Sequence, residues 1–398
     1  MRVSTASQFE RSVQTLQQRQ QALQASQEQI ATGKRVLRPS DDPIAAVRAE
    51  RAMVQQHRID ADLRALEASR QSMAATEAAV GEASGLMQRV RELVLQAGNP
   101  TFGPEPRKAL VEELRVLRQQ LFDVANRPDG AGGYLFGGAA DSSAPFQDTA
   151  AGVVFRGRPA GTQAAGVALP LAIDGQEAWM RSASGNGVFV TSPAAANQAG
   201  AWIDAGRVTD PALLTGRAHD IEFADDGSGG LTWQVVPAPD VGPASAQPYA
   251  TGRAIEFDGL AVTVHGEPKP GDRFEIAPSR RDLSLFDAID HVVAGLAPTD
   301  LDPAQVTQTV QSGLRDLDAV MATLVASRSR LGAVLGQIDG LDARLADQRI
   351  STQSARSAAE DVDLAQAVSD FQVRQTSYDA ALKAYSMVQR LSLFEYIR

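Results

Sequence analysis

Apolar positions near both ends of the chain recur at alternating steps of four and three residues. Phe9, Val13, Leu16, Leu23 and Ile30 keep this rhythm at the start, with Gln20 and Gln27 in the two places between. Leu364, Val368, Phe371, Tyr378, Leu382 and Tyr385 repeat it at the far end, with Gln375 and Gln389 in the series and Leu391 and Phe394 beyond. Such spacing draws one seam along an α-helix, the heptad pattern of helices that pack on other helices. Each seam is narrow and partly polar, whereas a helix gains most of its stability by burying an apolar face. The two terminal segments are therefore expected to order against each other and against neighbouring copies, with the residues named above as the assembly surface.

Longer seams lie inside these ends. Ile59, Leu63, Leu66, Met73, Val80, Met87 and Val94 form one, and Leu110, Leu114, Leu117, Leu121 and Val124 another after the break at "AGNPTFGPEPR". A third, the strongest, runs Val310, Leu314, Leu317, Met321, Leu324, Arg328, Leu331, Leu335, Ile338, Asp342 and Leu345. At 1.5 Å per residue it spans roughly 50 Å, which favours a rod over a globule.

"ATGKRVLRPSDDPIAA" interrupts the first helical stretch. Gly33 can adopt the left-handed conformation that closes a helix. Pro39 holds Arg38 extended, and Asp42 is a natural N-cap with Pro43 in the first turn. Asp41 and Asp42 also suit the positive end of the next helix. Gly33, Pro39, Asp41, Asp42 and Pro43 are the expected hinge. Ser357 and Glu360 in "RSAAEDVDL" have capping-box spacing and are expected to restart the last helix in a corresponding place.

The middle reads differently. Twelve of the 20 prolines and all three tryptophans fall between Phe136 and Asp282, while residues 1–38 and 304–398 have no proline. Proline costs about 3 kcal/mol inside a helix, so the proline-free ends suit long helices. "RAIEFDGLAVTV" is a hairpin with Asp258-Gly259 at a type I′ turn, and "DIEFADDGSGGLTWQVV" and "PGDRFEIAP" add strands. The expected fold is α+β: an elongated α-helical rod with coiled-coil character, made from both chain ends, carrying an inserted antiparallel β domain. Its expected parts are a terminal assembly domain (1–41 and 352–398), a helical rod (42–135 and 283–351) and the β domain (136–282).

Composition removes several functions. A net charge of -10 argues against nucleic acid, which is bound by clustered Lys and Arg. No apolar run is long enough to span a bilayer, so no membrane insertion is expected, and no cleavable secretory signal is visible. The absence of cysteine excludes disulfides and thiolate chemistry. Four histidines (His57, His219, His265, His291) lack paired ligand spacing. "GAGGYLFGG" has Leu135 where a dinucleotide loop needs its third glycine, and "ADDGSGG" lacks the acidic spacing of a calcium loop. Gly332, Gly336 and Gly340 share one helix face and fit close helix approach or a softened stretch of rod. No catalytic residue, metal ligand or cofactor site emerges, and no enzyme activity is expected.

These features together resemble the flagellin superfamily of bacterial axial proteins. "ATGKRVLRPSDDPIAA" is similar to the loop after the family's first helix, and "SRSRLGAVLGQID" to its long C-terminal rod helix. The ending "YSMVQRLSLFEYIR", with "GGYLFGGAADSSAPF" and "FDGLAVTVHGEPKPGDRFEIAPS", resembles the hook-associated branch rather than filament subunits. The resemblance implies a structural protein exported unfolded through the flagellum's own type III apparatus, with an export chaperone. It implies a ring or helical layer of self-associating copies at the junction between hook and filament, touching a neighbouring hook-associated protein and flagellin outside the cell. The alternatives are a flagellin proper, or a secreted adhesin-like stalk displaying the β domain.

Overall fold

The computed structural model describes residues 5–396 apart from 100, 131, 139–142, 159–160, 199 and 244, with helix side chains described between Glu10 and Met387. The chain runs α1 (Thr5–Thr32), α2 (Pro43–Ala97) and α3 (Pro104–Ala125), then β1 (Phe146–Thr149), β2 (Gly152–Phe155), β3 (Gly161–Ala164), β4 (Val167–Pro170) and α4 (Gly175–Trp179). Strands follow as β5 (Phe189–Pro193), β6 (Ala201–Ile203), β7 (Arg207–Val208), β8 (His219–Asp225), β9 (Leu231–Val236), β10 (Gln247–Pro248), β11 (Ala254–Phe257), β12 (Leu260–Gly266) and β13 (Arg273–Pro278). Helices α5 (Leu285–Leu296), α6 (Pro303–Glu360) and α7 (Leu364–Tyr396) come last. Two compact units result: Met1–Arg64 with Leu341–Arg398, and Ala65–Gly340. The division falls within α2 and α6.

In the larger unit, Leu66, Met73, Val80, Met87 and Val94 of α2 stand seven apart and are at most 1% exposed. On α6, Val310, Leu317, Leu324, Leu331 and Ile338 keep the same interval and are also buried. The expected seam members Leu63, Leu314 and Leu335 are only half-buried. Ser69, Thr76, Ala83, Val90 and Ala97 supply the second buried position of the α2 heptad, which small and polar residues hide from a hydrophobicity scan. Three ion pairs cross between the helices: Arg91 to Asp318 at 2.8 Å, Arg328 to Glu77 at 2.7 Å and Arg70 to Asp339 at 3.2 Å. One series of numbers falls as the other rises, so the helices are antiparallel. Exposed pairs contribute only about 0–1 kcal/mol each, so these set register more than stability.

An aromatic cluster joins α3, α5 and the first strands. Trp179 is fully buried and stacks on Phe286 at 6.1 Å, with Phe136 and Phe146 edge-on to it. Arg118 of α3 lies beside this cluster and pairs with Asp290 of α5 at 2.6 Å and Asp148 of β1 at 2.7 Å. Burial opposes its charge, but the two carboxylates outweigh that and push its pKa up.

The β region holds two main sheets. One has strand order β10-β9-β8-β13-β5, and the other β11-β12-β6 with β7 also on β12. Phe189, Ile221, Phe223, Val262, Phe274 and Ile276 belong to one shared core. In the β11–β12 hairpin Phe257 faces Leu260, with Asp258 at φ 43° and Gly259 at φ 71°, as a type I′ turn requires. A side chain at 259 would strike the Asp210 carbonyl at 2.2 Å, so only glycine fits there. The chain enters and leaves this region side by side: Ser182 and Leu283 exchange backbone bonds at 3.0 and 3.2 Å, and the Ser184 N–H donates to Arg280 at 2.9 Å.

One expectation needs correction, and one of two readings offered for the glycine face falls away. Ser357 and Glu360 end α6 rather than open the last helix. The Ser357 hydroxyl donates to Asp361, and Asp363 caps α7 by accepting from the Ala365 and Gln366 N–H groups at 3.0 and 3.2 Å. Capping-box spacing was satisfied by chance inside a helix that had not yet ended. Among the described residues nothing lies within 4 Å of a Cβ added at Gly332, Gly336 or Gly340, which removes close helix approach from the two readings of that face.

Candidate functional site

The two hinges hold each other. Gly33, at φ 70°, closes α1, and Lys34 bridges Asp361. The last carbonyl of α6, Glu360, accepts from the N–H groups of Arg35 (2.7 Å) and Val36 (3.4 Å), and the Val362 N–H donates to Gly33 at 3.0 Å. A helix leaves its final carbonyls without intrahelical partners. Here the other end of the chain supplies donors for them.

The basic residues of "GKRVLR" then have a local purpose. Lys34 pairs with Glu360 at 3.3 Å, and Arg35 donates to the Ala359 carbonyl at 3.0 Å. Both cations thus sit at the negative end of α6. Asp41 accepts from the Leu37 and Arg38 N–H groups at 3.1 and 2.8 Å, folding the loop back. Asp42 caps α2 through the Ala45 N–H at 3.0 Å and pairs with Arg35 at 3.1 Å. Those two contacts, in that order, hold its carboxyl below the usual carboxylate range. Beside the loop a cleft of about 510 Å³ opens between Val36, Pro39, Val47 and Met53, with Glu50 and Arg356 also on its wall.

Below the hinges α1 and α7 pair antiparallel. Arg19 donates to the Ser377 carbonyl at 2.8 Å, and Arg374 returns a bond to the Ala22 carbonyl at 3.0 Å. On α1, Val13, Leu16, Leu23 and Ile30 are half-buried, while Gln20 and Gln27 face solvent. On α7 the inner side is Ala367, Phe371, Arg374, Tyr378, Ala381 and Tyr385. This is a four-three alternation that shares only Phe371, Tyr378 and Tyr385 with the expected seam. Leu364, Val368 and Leu382 lie further round the helix, 54%, 42% and 40% exposed. The side chains of Phe9, Leu391 and Phe394 lie outside the described residues. Ser26 and Ala367 are the only fully buried side chains of the pair among the described residues, and both are small. Sequence reading missed Arg19, Ser26, Ala367 and Arg374; small and cationic residues at heptad places were the available signal.

Among the described residues the other polar groups are gathered mainly in one place. A polar cleft of about 600 Å³ in the larger unit contains Thr191, His291, Gln308, Arg315 and Asp316. Burial pushes the Asp316 carboxyl up, opposed by Arg315. Arg315 donates to the Thr191 hydroxyl at 3.2 Å, and the Gln308 amide oxygen accepts from the Ile203 N–H at 2.8 Å. These are fastenings between strand and helix. Among the described residues no cluster of His, Asp or Glu is placed to hold a metal ion, and no helix is long and apolar enough to cross a membrane.

Long helices from both chain ends, pinned to each other at paired hinges, with a β region inserted between them in sequence, define an axial structural protein. Family models agree: the bacterial flagellin N-terminal helical region matches residues 3–141 and the C-terminal helical region residues 314–397, together more than half of the chain. The chain belongs to the flagellin superfamily. Over its full length it is similar to flagellar hook-associated protein 3 of Escherichia coli, 24% identical over 99% of both chains. The crystal structure of flagellar hook-associated protein 3 from Legionella pneumophila superposes with a TM-score of 0.71 at 27% identity, over 77% of this chain and 97% of that one. A Xanthomonas campestris FlgL structure gives 0.68 at 26%, over 78% and 99%. Similarity to flagellins is partial: polar flagellin F of Vibrio parahaemolyticus is 32% identical over 32% of this chain.

Proposed function

We propose that this chain is a structural subunit of the bacterial flagellum that forms the junction between hook and filament, the platform on which the filament assembles. The observation that carries this reading is the extent of similarity. Hook-associated protein 3 is matched from end to end, β region included, whereas the flagellins match over about a third of the chain. A filament subunit would be expected to reverse that order. The surfaces fit a polymerising part, because the α1–α7 pair exposes Leu364, Val368, Val373, Leu382 and Met387 and buries no large apolar side chain among the described residues. Export through the type III apparatus, an escorting chaperone, self-association into a ring or helical layer, and an extracellular position follow as parts of the same proposal. Deleting the gene should leave hooks that release flagellin monomers without attached filaments. Labelled protein should sit only at the hook–filament boundary in isolated flagella. Normal attached filaments in the deletion strain would reject the reading.

A further inference from the structure

The cleft of about 600 Å³ in the larger unit lies between β5, the first turn of α5, the N-terminal part of α6 and the β1–β2 turn at Ala151. Small-molecule sites measure about 300–1,000 Å³. Two polar groups on its helical walls are left unmatched by the fold. Gln308 of α6 is 7% exposed, and its amide oxygen accepts from the Ile203 N–H at 2.8 Å. That bond fixes which way the amide lies, so Nε2 is the end left to face the cleft. Nε2 has no hydrogen-bond partner among the described residues. Asp287 is set in place by the N-cap of α5, where the Ser284 hydroxyl accepts from the Asp287 N–H at 2.9 Å. Its carboxylate is half-buried and accepts no hydrogen bond among the described residues. Gly152 leaves it room, since a Cβ there would lie 3.1 Å from Oδ1.

We propose that this cleft binds a neutral sugar, with Gln308 Nε2 donating to one hydroxyl and the Asp287 carboxylate accepting from another. The inference does not depend on the junction reading. Arg315 is already committed: Nε pairs with Asp316 at 3.4 Å, and Nη1 donates to the Thr191 hydroxyl at 3.2 Å. His291 faces the same Asp316 carboxylate. Asp282 and Asp287, on the same walls, have no ion-pair partner among the described residues. A phosphate or carboxylate would therefore meet unbalanced negative charge. An amino acid would find carboxylates for its ammonium but no uncommitted cation for its own carboxylate. A simple amine would leave Gln308 Nε2 without an acceptor. A hydroxyl donates and accepts at once, so neighbouring hydroxyls of one ring serve both groups. Val190, Pro193 and Leu283 give the C–H face of that ring an apolar wall.

Saturation-transfer NMR on the purified full chain tests this with glucose, galactose and mannose, each also as its methyl glycoside. The expected result is transfer to at least one hexose with millimolar affinity, as suits a ligand of so few atoms. Asp287→Ala and Gln308→Glu should each weaken that binding about tenfold or more. Gln308→Glu keeps an oxygen for the Ile203 N–H and replaces the free donor with an acceptor. If that variant melts early, Asp287→Ala decides alone, because its carboxylate has no hydrogen bond within the fold to lose. A methyl glycoside that binds as well as its hexose identifies the end of a glycan chain as the ligand, and binding of the hexose alone identifies the free sugar. No transfer to any of these probes, or binding unchanged in Asp287→Ala, would overturn the proposal. Stronger binding of L-serine or inorganic phosphate than of every sugar would overturn it as well.

Discussion

At the scale of residues, the buried pair His219–Asp258 shows how polar atoms are placed in the β region. The His219 ring nitrogen Nδ1 lies 3.1 Å from the Pro237 carbonyl, which can only accept, so Nδ1 carries a hydrogen. Nε2 then lies 3.3 Å from Asp258 Oδ2, within ion-pair reach but without hydrogen-bond alignment, and both side chains are 1% exposed. Asp258 Oδ1 accepts from the Val241 N–H at 2.7 Å. His219→Ala should cost about 3–5 kcal/mol, because it strands a buried carboxylate. Asp258→Asn should cost under about 1 kcal/mol: it removes the buried charge, its oxygen keeps the Val241 bond, and asparagine tolerates positive φ. Urea unfolding of the two variants checks the contrast. At the hinge the sign runs with acid. The lowered Asp42 carboxyl contributes its full stabilisation above the ordinary value of 3.8 and loses it as pH falls through the lowered one. The protection factor of the Ala45 N–H, its exchange rate relative to that of the unstructured amide at the same pH, should therefore fall below about pH 4 in the native chain, and Asp42→Asn should flatten that dependence.

At the scale of elements, the two long helices were legible because their buried residues recur at a strict interval of seven, and Asp258-Gly259 marked its hairpin by turn chemistry alone. The last helix was not legible in detail. Its apolar residues occupy two neighbouring stripes, and hydrophobicity cannot say which is inside when Ala367, Arg374 and Ala381 complete the true seam. The paired hinges were half legible: Gly33, Pro39, Asp42 and Pro43 announced a break, but their partner across 324 residues left no local mark. The cluster around Trp179 was missed because its strands are only four residues long. Contrasting substitutions follow. Leu324→Ala, in a fully buried heptad place, should cost about 2–5 kcal/mol in thermal unfolding. Leu382→Asp, at a 40%-exposed position, should leave monomer melting unchanged and abolish incorporation into flagella. Removing residues 185–279 and joining Ser184 to Arg280, which already touch, should leave a soluble helical protein with a cooperative melt. A wider cut that takes Phe146 and Trp179 should not, since Phe286 would lose its stacking partner.

At the scale of the whole molecule, the buried apolar side chains are shared very unevenly. Ordering some thirty residues of α1 costs about 1–2 kcal/mol each, and a half-buried seam with no large side chain fully covered returns little of it. Limited proteolysis of the dilute free chain should therefore trim both termini quickly and stop near the Gly33–Asp42 and Asp361–Asp363 hinges. Termini that resist protease in a dilute monomer would show that the pair is self-sufficient. The mutual capping of the hinges also bears on how the chain acquires its structure. The donors at Arg35 and Val36 find their acceptor at Glu360, on the far side of the β region in sequence, so this junction has a very long loop to close. A ribosome or an export channel that releases the chain from one end must deliver nearly all of it before the first helix has a place to rest. Closure of the hinge thus reports that a subunit has arrived intact, and a chain cut short anywhere before α7 leaves its first helix without a partner.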